Sequence, residues 1–292
     1  MSTKLKFAGF VASIVAAWAA WGLYGASFVA RRFAGEKPVT LTELGQAGDL
    51  FGGINALFAA LAFAGVAIAA YTQWSSSHKQ AFESAFFNAL SLHHTIVGGL
   101  HINTGIIEAP KWRKELSARS SAPLPASNSV EGRDVFAAIV DRLASFSGSP
   151  GDTTFLYRQL QQNHNYVLGH YFRNLYQILR LIDVQRGHVV NEAEKRRFGS
   201  LLRAQLSASE LTLLLLNCQE NMVDEGQFRN LLVRYRMLEH LPLKRDQTTY
   251  VAVEEDLPLA DEATIRTFLD YTSPQPTAKI VRGAFGTNPA LQ

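Results

Sequence analysis

The hydrophobic pattern begins with two long apolar runs. Phe7 to Ala30 contains no ionisable group and is bounded by Lys4 and Lys6 before it and by Arg31 and Arg32 after it. At about 1.5 Å per residue, a helix of this length crosses a hydrocarbon core of roughly 30 Å with some tilt. The second run, Leu50 to Trp74, is also free of charge and closes on Tyr71 and Trp74, whose amphipathic rings suit the headgroup level. A cleaved signal sequence has an apolar core of only about 7 to 15 residues and would not be followed directly by a second run. The pattern therefore predicts a transmembrane hairpin over residues 1–76, with spans at about 7–30 and 50–74. Gly52, Ala56, Ala60 and Ala64 recur every four residues in the second span, as Ala12, Ala16 and Ala20 do in the first. Small residues at this spacing let helices approach closely, either within the hairpin or between chains of a homo-oligomer. Asn55 adds a polar amide that seeks a partner inside the span or reaches water near its start.

Beyond Ser75 the apolar spacing becomes that of half-buried helices. Phe82, Phe86, Leu90, His93 and Val97 fall on one stripe, so a helix is expected to run to near Gly105 after a break at Ser75 to Ser77. Residues 108–131 mix Pro, Ser and charge, and read as a loop in which Lys111, Trp112, Arg113 and Lys114 either face water or touch anionic lipid. Four more helical patterns follow, at Arg133–Phe146, Thr154–Arg186, Asn191–Gln219 and Glu225–His240. Asn191 with Glu194 forms a capping arrangement at the start of the third. The longest alternating run is Tyr250 to Val253, so the expected fold is all-α, with an α-helical bundle over 77–241 carrying the loop at 108–131. Residues 242–292 form an acidic, Pro-punctuated extension with one short helix around Asp261 to Tyr271 and a loose final stretch.

Charge refines this picture. Charged residues are 18% of the chain and are scarce in its first 78 positions, as an anchor followed by a water-exposed unit requires. The net charge of +3 divides into about +2 before Lys79 and about +1 after it, which makes no polyanion-binding domain, and no direct nucleic-acid site is evident. A hairpin places both chain ends on one side. Arg31, Arg32 and Lys37 in the loop balance Lys4, Lys6 and Lys79, so charge alone does not orient it. The lone thiol, Cys218, suits a reducing compartment, and the expected arrangement is a multi-pass protein of the inner (plasma) membrane with its C-terminal unit in the cytoplasm.

Candidate chemistry is sparse. The chain has no Gly-rich phosphate loop, no zinc-protease histidine pair and no serine elbow, so no enzyme activity, cofactor or metal is expected. Neighbouring His93 and His94 point about 100° apart and cannot share an ion, which leaves packing or capping roles. An Arg followed after four to six residues by His resembles the active-site pair of HEPN ribonuclease toxins, and Arg158 with His164 fits, as does Arg234 with His240. That pair defines an alternative reading as a membrane-tethered ribonuclease. The helix from Leu168 to Asp183 interleaves aromatic and charged residues. His170, Tyr171 and Arg173, with Arg180 and Asp183 one turn apart, form a candidate regulatory polar network or a register-fixing structural one.

At this helix the chain resembles a known family. Leu168-Gly169-His170-Tyr171-Phe172-Arg173, continuing through Leu175 to Leu179 and on to Ile182-Asp183, is similar to the signature of the phage abortive infection proteins. That family includes the two-span transmembrane effectors of some retron defence systems. Further blocks agree in order: Gly48 to Gly53, Gln80 with Phe82-Glu83, Phe86 to Asn88, Gly132-Arg133 with Phe136, and Arg203 to Ser207 with Glu210-Leu211. The resemblance implies an effector that disrupts the inner membrane when phage infection triggers it, with the lipid bilayer as its target. It also implies a defence-system partner such as a reverse transcriptase with its RNA–DNA. A non-toxic membrane sensor or scaffold fits the residues as well.

Overall fold

A computed structural model of the chain describes residues 16, 20, 24, 32, 41–109, 114, 127–187, 189–219, 222, 226–269 and 283–291. Most of the first apolar run, Ala12 included, and Lys111 to Arg113 of the loop lie outside the described residues. The chain divides into two compact units, Met1–Trp74 and Ser75–Gln292.

The N-terminal unit is described chiefly by the first part of helix α1, Leu41–Gly98. From Asn55 to Trp74 every side chain is exposed, including Leu57, Phe58, Leu61, Phe63, Val66 and Ile68. Among the described residues one helix is long and apolar enough to cross a membrane, with a mean hydropathy of 1.7 over an unburied stretch. The expected break at Ser75 to Ser77 is absent: α1 runs through the three serines, since serines weaken a helix only slightly and no Gly or Pro interrupts it there. It stops at Gly98, earlier than expected, where Gly98 and Gly99 end the helix and the chain turns extended.

In the C-terminal unit, α2 (Asp134–Phe146), α3 (Pro150–Asp183), α4 (Glu192–Arg203), α5 (Ala208–Asn217) and α6 (Gln227–Tyr235) surround a continuous apolar core. The last turns of α1 enter it through Phe82, Phe86, His93 and Val97, with Phe82 and Phe86 each 4.9 Å from the Phe198 ring of α4. Helix α3 begins where Ser149 accepts from the Asp152 amide and Pro150 takes the first turn. It bends at His164, whose φ of −136° and ψ of 35° leave the helical region. The expected single helix from Asn191 to Gln219 is two. Asn191 with Glu194 caps α4, and a second capping box, Ser207 with Glu210, starts α5 afresh. Nine of the ten residues of α5, all but its first, Ala208, are buried, the burial of a central core helix.

The all-α expectation does not hold in full, because the described residues of the mostly helical unit include two small antiparallel sheets. Strand β1 (His101–Asn103) pairs with β2 (Ser129–Glu131), closing the base of the loop. Strands β3 (Leu243–Asp246), β4 (Thr249–Ala252) and β5 (Pro258–Asp261) form a meander, followed by the short helix α7 (Glu262–Arg266). Each strand has three or four residues, too few for alternation to register in the sequence. The final stretch is not loose where it is described: Ala284 and Phe285 are fully buried, and Asn288 donates to the carbonyls of Glu239 and Leu241.

Candidate functional site

The helix singled out from sequence carries a polar network, with different members from those expected. Tyr171 is fully buried on α3, its ring 4.9 Å from His93 of α1 and 4.7 Å from Phe136 of α2. Its hydroxyl donates to Glu210 Oε1 at 3.1 Å. Glu210 has no exposure at all, and its second oxygen accepts from the Ser207 amide at 2.7 Å, so one carboxylate serves both as helix cap and as network centre. Arg133 stands with Nε 3.7 Å from that oxygen while it donates to the Gln205 carbonyl at 3.0 Å. A buried carboxylate is tolerable only when donors surround it, and here the tyrosine, the cap amide and the guanidinium do so.

His93 completes the cluster. It is fully buried; Nδ1 lies 3.4 Å from Asn174 Nδ2, and Nε2 has no hydrogen-bond partner. Burial, helped by neighbouring His94 and Arg133, pushes its pKa down to about 4, so the ring is neutral at physiological pH. Burial and Glu210 together hold the Tyr171 hydroxyl well above its ordinary value, so it remains a donor. The arrangement locks α1, α2, α3 and α5 together through polar contacts. It has no exposed nucleophile and no paired acid and base open to a substrate.

A second network closes the end of α3. Asp183 accepts from Arg234 at 2.8 Å and from the Tyr235 hydroxyl at 2.9 Å, while its carbonyl accepts from Lys195 at 3.0 Å. Arg234 also reaches Glu192 at 3.2 Å. Beside it, a cavity of about 480 Å³ is lined by Arg196, Arg203, Arg234 and Arg236 among others. Another of about 430 Å³ is lined by Gln161, Asn165, Phe172, Arg173, Asn217 and Phe228 among others.

Of the residues expected in one regulatory network, Tyr171 belongs to the Glu210 cluster and Asp183 to the Arg234 cluster. His170, Arg173 and Arg180 are exposed. Asp183 takes its cation from α6, rather than from Arg180 one turn back on α3. Gly52, Ala56, Ala60 and Ala64 are all exposed on α1. Arg158 lines a cavity of about 230 Å³ whose lining does not include His164, and its Nε is buried without a partner. His164 sits at the α3 bend with its ring 5.8 Å from Tyr166. Among the described residues no group of three or more His, Cys, Asp or Glu side chains could hold a metal ion. Sequence reasoning missed Glu210 and Arg133 as a pair. The spacing of Ser207 and Glu210 is a capping signal, but nothing local says that Arg133 folds onto it across more than seventy positions.

Fold and networks together define a mostly helical protein, knit by buried polar clusters and with, among the described residues, one helix long and apolar enough to cross a membrane. Within it, residues 163–245 match the model of the family described as "Putative phage abortive infection protein", which supports the family that the residues resemble. The matched stretch holds Tyr171, Asp183, Glu210 and Arg234, and lies C-terminal to His93 and Arg133. No curated protein and no solved structure matches the chain.

Proposed function

We propose that this chain is a membrane-anchored effector of phage defence: a two-span hairpin in the inner membrane, a helical unit in the cytoplasm, and a triggered state that disrupts the membrane. The observation that carries the reading is the surface of α1 from Asn55 to Trp74, apolar on every side and exposed on every side. A helix hydrophobic all round is either buried in protein or immersed in lipid, and none of the described residues buries this one. The family match supplies the connection to abortive infection. On this reading Ala56 and Ala60 pack spans together, within the chain or between copies, and the Tyr171–Glu210–Arg133 network holds the resting arrangement. A trigger acts by binding the active arrangement more tightly than the resting one. A reverse transcriptase with its RNA–DNA is the partner that the retron resemblance implies.

The test is induction of the full chain in cells carrying a membrane-potential dye, with and without phage. Collapse of the potential before lysis, lost in an Ala56→Leu/Ala60→Leu chain that still inserts, is the expected result. Unimpaired growth and potential in the presence of phage would overturn the effector reading in favour of a sensor or scaffold.

A further inference from the structure

The cavity between α4 and α6 has the composition of an anion site. Four guanidinium groups face it against two carboxylates, Glu192 and Glu239. Both carboxylates are already engaged. Glu239 pairs with Arg203 at 2.8 Å and accepts from the Thr287 amide and hydroxyl, and Glu192 pairs with Arg234 and Lys195. Arg203 is nearly buried and also donates to the Arg236 carbonyl at 2.8 Å, so it is a fixed wall of the site. Arg196 and Arg236 are exposed on its rim; neither makes a close ion pair among the described residues, although Arg236 lies near enough to Glu239 to help hold its pKa down. Arg236 is held in the left-handed region with φ of 52°, a conformation uncommon for a side chain of this size, at the point where α6 ends. Gly283, with φ of 88°, brings the returning chain to the same cavity without a side chain to fill it.

Four arginines and no lysine line this cavity, and the planar guanidinium fork is suited to the paired oxygens of phosphate. A volume of about 480 Å³ exceeds what a single phosphate needs and falls in the range of small-molecule sites. We propose that the cleft formed by Arg196, Arg203, Arg234 and Arg236 binds a phosphate-bearing ligand of nucleotide size, with Arg196 and Arg236 as the clamping pair. The same chemistry comes from a free nucleotide or from the backbone of a nucleic-acid strand. The proposal stands apart from the membrane reading, since binding is measured without membrane damage.

The test uses the full chain in detergent micelles at moderate salt. Fluorescence anisotropy with a labelled oligothymidylate of about twelve nucleotides reads the strand, and calorimetry with ATP reads the free nucleotide. Binding of either is expected, weakened at least about tenfold in Arg196→Gln/Arg236→Gln and less in the matching Lys variants. ATP that displaces the strand identifies a nucleotide-sized site, and a strand that ATP cannot displace identifies backbone recognition. Arg196→Gln alone touches neither carboxylate, so it reports on binding should the double variant melt early. Failure of both probes to bind below about 1 mM, or Gln variants that fold and bind like the parent, would overturn the site.

Discussion

Glu210 does two jobs with one carboxylate, and that makes Tyr171 the most informative residue to change. Removing the hydroxyl in Tyr171→Phe leaves the ring packing on His93 and Phe136 but takes a donor from a fully buried oxygen. The expected cost is about 1 to 3 kcal/mol, read as a lower melting temperature of the detergent-solubilised chain. An unchanged melting temperature would mean that the remaining donors suffice. His93 titrates in the opposite sense to a salt-bridged histidine. Its folded pKa of about 4 lies below the unfolded value of about 6.5, so between these pH values the unfolded chain binds the extra proton. The contribution is present in full above pH 6.5 and is lost as pH falls towards 4, amounting to about 3 kcal/mol. Comparing the pH dependence of denaturant unfolding for the parent and His93→Gln isolates it. A difference between the two that stays constant from pH 7 to about pH 4 would show that His93 is not the group.

Two glycines inside helices separate sterics from helix propensity at the level of the element. A Cβ at Gly199 of α4 would lie 2.8 Å from the Tyr235 ring, which is buried and tied to Asp183 by its hydroxyl. The ring has nowhere to go, so Gly199→Ala should cost about 1 to 3 kcal/mol. A Cβ at Gly169 of α3 meets Asn165 Oδ1 at 1.9 Å, but that atom ends an exposed side chain held only by a surface hydrogen bond from its Nδ2 to Gln161 Oε1. Asn165 can swing outward, and Gly169→Ala should leave stability unchanged or raise it by up to about 1 kcal/mol. Thermal unfolding of the two variants side by side checks the sign, and equal destabilisation would refute the distinction. The same contrast explains what was legible beforehand. The Asn191–Glu194 cap and the stripe through Phe82, Phe86 and His93 are local patterns, and the structure has both. The meander at Leu243–Asp261 was not legible, because strands this short are stabilised by pairing and by packing against α3 rather than by their own alternation. The grouping of the cavity arginines is not legible for the related reason that Arg196 and Arg236, forty positions apart, meet only after α4 and α6 pack.

At the scale of the whole molecule, the question is which parts of the chain lie on which side of a membrane. A surface such as that of α1 from Asn55 to Trp74 is not stable in water, so the full chain is expected in the membrane fraction and resistant to alkaline extraction. Orientation needs its own measurement, because the positive residues flanking the two apolar runs balance. Cys218 is the lone thiol and is buried, so replacing it with Ala gives a background in which one cysteine at a time can be placed at Ser2, Gly35 or Thr287. In the proposed hairpin, a membrane-impermeant maleimide applied to spheroplasts labels the Gly35 position, and labels the Ser2 and Thr287 positions only after lysis. Each alternative leaves a different pattern. Labelling at Ser2 as well as Gly35 would mean that the first apolar run does not cross, leaving a single span. Labelling at Ser2 and Thr287 but not at Gly35 would keep the hairpin and invert it, placing the helical unit outside the cytoplasm. That last pattern would also remove the arginine cleft from any cytoplasmic nucleotide or nucleic acid, so this one experiment decides where its ligand must be sought.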